Sequence, residues 1–235
     1  MIKYSLVVPC YNEGENVPLL IDRAKVVFSG CKDIELILVD NGSSDNTFEI
    51  IDTASKSLPF IKAVKVELNQ GYGYGILSGL KVASGELIGW THADMQTDLG
   101  DVLKSISLYE NRNKLTGCFI KGRRIKRPIF DNFFTIGMSF FETILLRRPM
   151  WDINAQPTMF SRDLFDQWSG APYDFSLDLF AYYSAKKMKY TIMRHSVHFG
   201  LRAHGQSHWN IDMASKFKFI KRTFAYSLRL KKGLR

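Results

Sequence analysis

Potential metal donors follow an apolar segment near the middle of the chain, where a buried strand should emerge at the surface. Leu87-Ile88-Gly89-Trp90 leads directly into Thr91-His92-Ala93-Asp94-Met95-Gln96-Thr97-Asp98. A hard divalent cation such as Mg²⁺ or Mn²⁺ takes a few oxygen ligands from a protein and others from substrate phosphates. Because side chains two residues apart on an extended segment point the same way, His92, Asp94 and Gln96 are predicted to share one face. The pattern indicates a cation-dependent site for a phosphorylated substrate, although a loop after a strand can be polar merely because it meets water.

The first half of the chain alternates short apolar segments with helical patterns. This alternation predicts right-handed βαβ units around a mostly parallel sheet, and therefore an α/β fold. Each polar or glycine-rich motif follows a strand, at the end where open α/β sheets form their ligand crevice. Strands are predicted at Ser5–Pro9, Glu35–Val39, Ala63–Leu68 and Leu87–Trp90, and helices at Val17–Ser29, Thr47–Ser57 and Tyr74–Ala83, with Asn46 or Asp45 capping the second helix.

Composition indicates a folded protein with reduced thiols. With 235 residues and 46% apolar content, the chain can bury a full core and is predicted to form one main domain. Its three cysteines are odd in number and lack metal-ligand spacing, which favours reduced core thiols over a disulfide framework. The N-terminal apolar segment is interrupted too early, by Asn12 and Glu13, to form a signal peptide. A cytoplasmic location is therefore expected.

Charge is distributed unevenly along the chain. The net charge is +9, but residues 1–100 hold 8 Lys and Arg against 13 Asp and Glu, whereas residues 179–235 hold 13 against one. A basic C-terminal part can bind nucleic acid, anionic lipid or phosphorylated small molecules, and charge alone does not choose among them.

Two segments in the second half have helical amphipathic patterns. Phenylalanines recur at helical spacing over residues 129–146, but Asp131, Asn132 and Glu142 interrupt the segment, so a membrane-spanning helix is not expected there. Such a helix could simply pack on the sheet. Near the C-terminus, Met213, Phe217, Ile220, Phe224 and Leu228 recur at three- and four-residue spacing among basic residues. This pattern fits a helix lying in a membrane interface, or a terminal helix docked on the sheet with a solvated basic face.

Four motifs stand out for their order and spacing. They are Val8-Pro9-Cys10-Tyr11-Asn12-Glu13, Val39-Asp40-Asn41-Gly42-Ser43-Ser44-Asp45, Asn69-Gln70-Gly71-Tyr72-Gly73 and Ala93-Asp94-Met95-Gln96. Together they resemble family 2 glycosyltransferases of the GT-A fold, and the most similar branch is that of the dolichol-phosphate mannose and polyprenyl-phosphate glucose synthases. The likeness is strong over residues 4–124 and thinner beyond, with later similarity at Lys121-Gly122-Arg123-Arg124 after a predicted strand, at Asp152–Gln156 and at Phe199–Ser207.

The resemblance implies a site for a nucleotide sugar, with GDP- or UDP-hexose as the donor. Carboxylates at strand ends accept hydrogen bonds from base N–H groups and ribose hydroxyls, although Glu13 could instead serve a helix N-terminus and Asp40 could form a turn. Gly71 and Gly73 would let the backbone approach the donor, or serve only the turn before a helix. The predicted donor-site residues are Pro9, Tyr11, Glu13, Asp40, Gly71, Gly73 and Ala93.

The implied cofactor is Mg²⁺ or Mn²⁺, bound by Asp94 and Gln96. The family's metal motif usually opens with Asp, where this chain has His92. The imidazole could ligate a softer ion such as Mn²⁺, contact a phosphate, or leave the cation to Asp94 and Gln96.

The implied reaction transfers a hexose with inversion by a single displacement, and the expected acceptor is a polyprenyl phosphate. A phosphate acceptor is already anionic, whereas a sugar hydroxyl needs a general base worth typically about 10² to 10⁴ in rate. Asp152 and Asp178 are the carboxylates available for that role, although Asp178 could instead cap a helix or pair with a lysine. Guanidinium groups suit phosphate, which makes Arg123, Arg124 and Arg202 the predicted acceptor-phosphate residues. The predicted catalytic set is Asp94, Asp152, Asp178 and Arg202.

The sequence thus predicts a GT-A domain over residues 1–210 and a basic amphipathic helix over residues 211–235, which holds the enzyme on the cytoplasmic face of an anionic membrane. Other classes remain possible. A soluble transferase acting on a sugar hydroxyl in cell-surface polysaccharide and a nucleotide-sugar-binding protein without catalysis are the main alternatives. A nucleic-acid-binding module is not expected, and its affinity would fall steeply with salt.

Overall fold

Seven strands form one sheet in the computed structural model, which describes residues 1–112, 117–125, 129–205 and 213–233, and only the backbone of residues 129–135 and 213–220. The first two strands are almost completely buried, as expected for strands covered by helices on both faces. The strands are β1 (Tyr4–Cys10), β2 (Ile34–Asn41), β3 (Ile61–Val66), β4 (Leu87–Trp90), β5 (Cys118–Ile125), β6 (Thr158–Ser161) and β7 (Thr191–His198).

The strand order is β3-β2-β1-β4-β6-β5-β7. β1 lies parallel to β2, from Tyr4 opposite Ile34 to Cys10 opposite Asp40, and parallel to β4 on its other side. β6 pairs antiparallel with both β4 and β5, so it alone among the described strands runs against the others. The chain adds strands outward from β1 in one direction and then in the other, which creates the switch point where α/β sheets bind ligands.

Helices cover both faces of the sheet. α1, α2 and α4 bury residues such as Leu20, Ile51 and Ile106 against one face, and α3, α6 and α7 bury others, such as Leu80 and Leu164, against the opposite face. This arrangement gives two apolar layers around one sheet. The helices are α1 (Asn16–Val27), α2 (Thr47–Ser57), α3 (Tyr72–Val82), α4 (Gly100–Glu110), α5 (Ile129–Leu146), α6 (Arg162–Asp166), α7 (Leu177–Lys187) and α8 (Met213–Lys232).

The structure confirms the predicted α/β class and the mostly parallel sheet. Two expectations were wrong in detail. β3 occupies Ile61–Val66 rather than Ala63–Leu68, because it pairs with β2 from Leu36 opposite Ile61. The segment Lys121–Arg124 lies within β5 and not after it, because its backbone pairs with β7 as far as Ile125 opposite His198. The polar residues of this segment therefore did not mark the end of β5.

α5 and α8 form a pair at one side of the molecule. α5 matches the helix predicted over residues 129–146, and α8 lies within the predicted C-terminal helix. The rings of Phe141 and Phe224 stack at 4.9 Å between them. The predicted domain boundary at residues 210 and 211 lies outside the described residues. None of the described helices is long and apolar enough to cross a bilayer.

The three cysteines are free thiols. Cys10 and Cys118 are buried in the core, whereas Cys31 is only partly buried. This agrees with the expected absence of a disulfide framework.

Candidate active site

Two loops are tied together at the carboxyl ends of β1 and β2. The Asn12 backbone N–H donates to Ser43 Oγ at 3.0 Å, and Asn12 Oδ1 accepts the Ser44 N–H at 2.8 Å. Asp45 accepts the Gly14 N–H at 3.1 Å and the Thr47 N–H at 3.0 Å, so it links the first loop to the start of α2. Asp45 thus supplies the predicted cap, while Asn46 occupies the cap position without a side-chain bond. These bonds fix the polar rim of the crevice.

The segment after β4 is bent and not extended. Met95 has a φ of 59°, in the left-handed region, and Asp94 Oδ1 accepts the Gln96 backbone N–H at 3.1 Å in a turn. The expectation that His92, Asp94 and Gln96 share one face of an extended segment is therefore wrong. The turn buries the Asp94 side chain and leaves His92 and Gln96 half-buried.

Arg202 lies across this turn from the C-terminal part of the chain. Its Nη2 is 2.9 Å from Asp94 Oδ2, and its Nη1 is 3.6 Å from Glu13 Oε1. The backbone around it is also bound to the turn, since the Gly200 N–H donates to Gln96 O at 2.8 Å. In return Gln96 Nε2 donates to Gly200 O at 3.2 Å. The structure thus brings Glu13, Asp94, Gln96 and Arg202, all of them predicted site residues, into one cluster.

Glu13 is the most electrostatically sensitive carboxylate of this cluster. Burial raises its pKa above the ordinary carboxyl value, and the Asn16 hydrogen bond and the Arg202 charge oppose that shift in part. Asp94 raises the pKa further, and His92 lowers it. The charge state of Glu13 therefore depends on His92 and Asp94 of the predicted metal motif.

His92 packs against an aromatic column. Its ring stacks on Tyr72 at 5.6 Å, and Tyr72 stacks in turn on Phe175 at 4.6 Å. The Tyr72 hydroxyl is buried and has no hydrogen-bond partner among the described residues. Burial, together with the charges of Asp178 and Asp94, raises the pKa of Tyr72 well above its usual value. Tyr72 thus connects the turn after β4 to a second buried polar cluster.

Asp178 is the carboxylate of that second cluster, and it is paired with a buried lysine. Lys121 Nζ lies 3.6 Å from Asp178 Oδ1 and donates to Thr158 Oγ1 at 2.7 Å, and Gln156 Nε2 donates to Asp178 at 2.8 Å. Burial lowers the pKa of Lys121 to about 8, although Asp178 opposes the shift. The structure realises the lysine pairing that was the alternative to a catalytic role for Asp178.

Asp152 is paired with Arg124, one of the predicted phosphate residues. Its carboxylate accepts the Arg124 backbone N–H at 2.9 Å and the guanidinium Nε at 2.8 Å. Burial disfavours the ionised carboxylate, but the charge and hydrogen bonds of Arg124 outweigh it, so the pKa of Asp152 lies below its usual value. A carboxylate with a lowered pKa is a weak general base. Arg123 is exposed and donates to Ser196 Oγ at 3.3 Å, away from this pair.

The glycines of the third motif face the protein's own backbone. A Cβ on Gly71, which has a φ of 117°, would lie 2.4 Å from Tyr173 O, and one on Gly73 would lie 2.5 Å from Pro172 O. The prediction that these glycines make room for the donor is therefore incomplete, because residues 172–174 already occupy that space. Their small size lets this segment pack on the start of α3.

The other predicted donor-site residues line the same edge of the sheet. Pro9 is the penultimate residue of β1. Tyr11 directly follows that strand and is 40% exposed. Asp40 is buried and accepts the Ser43 N–H at 3.1 Å, which is the turn-forming bond foreseen as its alternative role. The Ala93 side chain is buried in the core, so only its backbone can face a ligand.

The donor set fits a cation that is shared with a substrate diphosphate. Among the described residues, no group of three or more His, Cys, Asp or Glu side chains is arranged to hold a metal by itself. The Asp94 carboxylate and the Gln96 side-chain oxygen remain as oxygen donors. Mg²⁺ is commonly held by one or two carboxylates plus substrate phosphates, so this small set is sufficient when the diphosphate supplies the rest.

Sequence reasoning missed Asn16, Tyr72, Lys121 and Gln156. Lys121 carried a visible signal, since it follows the apolar residues Cys118-Phe119-Ile120 in one strand. A lysine there is buried only when it is paired. Tyr72 and Gln156 stand within motifs of the family resemblance, but nothing local indicates their contacts with Phe175 and Asp178. Asn16 bonds Glu13 nearby, but its second partner, His204, is 188 residues away.

Comparison with known families agrees with this geometry. The model of "Glycosyl transferase family 2" matches residues 5–169. Curated relatives include the undecaprenyl-phosphate 4-deoxy-4-formamido-L-arabinose transferase of Yersinia enterocolitica, which is 37% identical over 121 residues. That match covers 49% of this chain and 36% of the relative, so the chain spans only about a third of the length of the curated relatives it matches.

Solved structures share the fold at low sequence identity. The mannosyltransferase PcManGT from Pyrobaculum calidifontis, in complex with GDP-Man and Mn²⁺, has a TM-score of 0.68 and 19% identity, over 97% of this chain and 64% of that chain. Glucosyl-3-phosphoglycerate synthase from Mycobacterium tuberculosis, with Mn²⁺, UDP and phosphoglyceric acid, has a TM-score of 0.70 and 18% identity, over 98% and 78% of the two chains.

Proposed function

The chain belongs to glycosyl transferase family 2, and from this premise we propose that it transfers a hexose from a nucleotide sugar to a polyprenyl phosphate, with inversion by a single displacement. The supporting observation is the pairing of both predicted bases with cations, Asp152 with Arg124 and Asp178 with Lys121. A sugar hydroxyl acceptor would need a free carboxylate to remove its proton, whereas a phosphate acceptor is already anionic. Relatives named as undecaprenyl-phosphate transferases support the same acceptor class.

The proposed donor site lies at the carboxyl ends of β1, β2 and β4. The loop from Pro9 to Glu13 and the Asp40 carboxylate would hold the base and ribose, and GDP- and UDP-sugars are the donor classes bound by the structural neighbours. The diphosphate would lie over the turn at Asp94, where Arg202 can exchange its carboxylate partner for phosphate oxygens.

Mg²⁺ or Mn²⁺ is the proposed cofactor, held by Asp94 and Gln96. When bound, the cation neutralises charge on the departing nucleoside diphosphate. Arg202 adds a second positive charge beside the same oxygens, and Arg123 and Arg124 lie on the β5 side, where an acceptor phosphate could approach. Arg124 is 5.5 Å from the ring of Phe199, three residues before Arg202 in the chain.

The α5–α8 pair is the proposed membrane contact on the cytoplasmic face. Ile136, Phe140 and Ile144 form an exposed stripe on α5, at 48%, 67% and 62% exposure and four-residue spacing. On α8, Phe224 and Leu228 are also exposed apolar side chains. Exposed basic residues lie on the same helix, and each could contribute about 1 kcal/mol near an anionic surface. They are Lys221, Arg222, Arg229, Lys231 and Lys232, of which Arg222 is also paired with Asp174 at 3.3 Å.

A donor assay tests the enzymatic part of the proposal. Thermal stabilisation across nucleoside diphosphates with Mn²⁺ should identify one base, with about 2.7 kcal/mol of stabilisation at ~100 times the dissociation constant. The matching nucleotide sugar should then be turned over only with a divalent cation. Asp94→Asn should abolish turnover while leaving the fold intact, and Asp22→Asn, an exposed carboxylate on α1, serves as the control. Stabilisation without turnover in the wild-type chain would instead indicate a binding protein.

A further inference from the structure

Asn16 joins the two ends of the chain at the active site. Its side chain is buried, with 3% exposure, although it stands at the start of α1 beside the crevice. Its Nδ2 donates to His204 O at 3.2 Å, and its Oδ1 accepts the His204 backbone N–H at 3.1 Å. The amide therefore satisfies both backbone polar groups of one residue, 188 positions away in sequence. Nδ2 also donates to Glu13 Oε2 at 2.5 Å.

Residues 200–204, which we call the strap, are held at both ends. Gly200 is bound to the backbone and side chain of Gln96, and His204 is bound by Asn16. Between them the Ala203 N–H donates to Asp94 O at 3.3 Å. Arg202 lies in the middle of this short segment, so the two end attachments determine where its guanidinium can reach.

The Asn16 side chain does not serve its own helix. α1 has no side-chain hydrogen bond at its cap, and the first turn is closed by the Glu13 backbone carbonyl, which accepts the N–H groups of Asn16 and Val17. The hydrogen bonds of the amide lead to Glu13 and to His204, and these two residues flank Arg202. A buried amide satisfied in this way rigidifies the groups that it joins.

We propose that Asn16 is a positioning residue that sets the place of Arg202 over the donor diphosphate. The proposal rests on the proposed function, because it gives Arg202 a phosphate to contact. By binding both backbone groups of His204 and one oxygen of Glu13, the amide fixes the strap and orients one of the two carboxylates that Arg202 faces. A shift of about 1 Å in such a group can cost about 10²-fold in rate.

A double-mutant cycle on turnover tests this role. Asn16→Ala should lower kcat about tenfold to a hundredfold when Arg202 is present, and should cause no further loss in an Arg202→Ala background, because the two residues act as a unit. Asn16→Asp, which keeps the shape but loses the N–H donors, should show the same non-additivity if the alanine variant folds poorly. Asn111→Ala, an exposed asparagine at the end of α4, is the control and should leave kcat unchanged. Equal losses from Asn16→Ala in both backgrounds would overturn the proposal.

Hydrogen exchange gives a second readout that does not depend on catalysis. Asn16→Ala should speed amide exchange at Gly200, Ala203 and His204 while exchange in α1 and β1 stays unchanged. If wild-type protein transfers no sugar but the strap responds in this way, the proposed function fails and the positioning of the strap stands. Unchanged exchange at His204 would show that Asn16 does not hold the strap.

Discussion

Three buried carboxylates near the crevice have a cationic side chain as partner, whereas Asp40 accepts the Ser43 N–H. Asp94 faces Arg202, Asp152 faces Arg124 and Asp178 faces Lys121. Removing one member of such a pair leaves the other charge buried and uncompensated, which typically costs roughly 3–5 kcal/mol. The pairs at Asp152 and Asp178 are therefore best understood as fixed parts of the wall, whereas the Asp94 pair is half-exposed on the arginine side and can rearrange around a ligand.

Replacing His92 by the family's usual residue tests how the cation is held. His92→Asp adds a hard oxygen donor, so we expect metal preference to shift from Mn²⁺ toward Mg²⁺. The measurement is the affinity for each ion in the presence of nucleoside diphosphate, by calorimetry. His92→Phe is the control, because it keeps the ring on Tyr72 but removes both nitrogens. If neither variant changes the ratio of the two affinities, His92 is not a metal ligand.

At the scale of secondary-structure elements, the α5–α8 pair contains a buried acid. The Glu142 side chain is fully buried, and its Oε2 has no partner among the described residues. The Ser227 hydroxyl lies 2.6 Å from Glu142 Oε1 and 2.8 Å from Thr223 O. One hydroxyl hydrogen cannot serve both acceptors. Protonation of Glu142 would let it donate to the Ser227 oxygen. Burial raises the pKa of Glu142 to about 7, although a hydrogen bond from Ser227 opposes the shift.

This acid predicts a pH-dependent stability. The pKa of Glu142 is higher in the folded protein than its ordinary value of 4.5. The protonated side chain therefore makes its full contribution to the free energy of unfolding below about pH 4.5, and this contribution is lost as pH rises through about 7. No charged group of the described elements packed on it contributes to the shift. Between these pH values the wild-type free energy of unfolding should fall relative to that of Glu142→Gln, by roughly 3 kcal/mol at most. Urea unfolding at several pH values measures this, and parallel pH profiles would contradict it.

The exposed stripe on α5 predicts membrane binding. Replacing Phe140 and Ile144 by serine should lower the affinity for anionic liposomes at least about tenfold, as measured by sedimentation. The reason is that burial of each apolar side chain contributes roughly 1.5–3 kcal/mol. Leu19→Ser with Val26→Ser, at exposed apolar positions on α1, is the matched control. If the wild-type protein stays in the supernatant at low salt, the proposed membrane contact is wrong and a soluble transferase is favoured.

At the scale of the whole molecule, local patterns were sufficient for the first half of the fold, but they did not predict the antiparallel strand β6 or the order of β5, β6 and β7. Apolar segments followed by polar motifs located β1, β2 and β4 within two residues, because strands buried on both faces must be apolar along their length. The same reasoning placed Glu13, Asp40 and Asp94 at one edge, since the carboxyl ends of parallel strands lie together. The family motifs added the prediction that Arg202 contacts phosphate.

Pairings between distant segments were beyond that reasoning. Arg202 and Asp94 are 108 residues apart, and Asp178 pairs with Lys121 from another element. Whether a carboxylate is a base or part of an ion pair depends on such a partner, and no local spacing specifies it. The turn at Met95 was missed for a related reason, because the hydrogen bond between Asp94 and Gln96 competes with the extended form assumed for the segment.

The central claim, transfer to an anionic lipid acceptor without a free general base, is tested most directly by comparing two acceptors of equal chain length. Sugar incorporation from the matching nucleotide sugar should be measured with undecaprenyl phosphate and with undecaprenol, in the same vesicles and with Mn²⁺. We predict transfer to the phosphate and at least about a hundredfold less to the alcohol, because Asp152 and Asp178 are held in ion pairs and cannot supply the base-assisted rate that a hydroxyl requires. Comparable transfer to the alcohol, or transfer to neither lipid while a saccharide hydroxyl is glycosylated, would contradict this account.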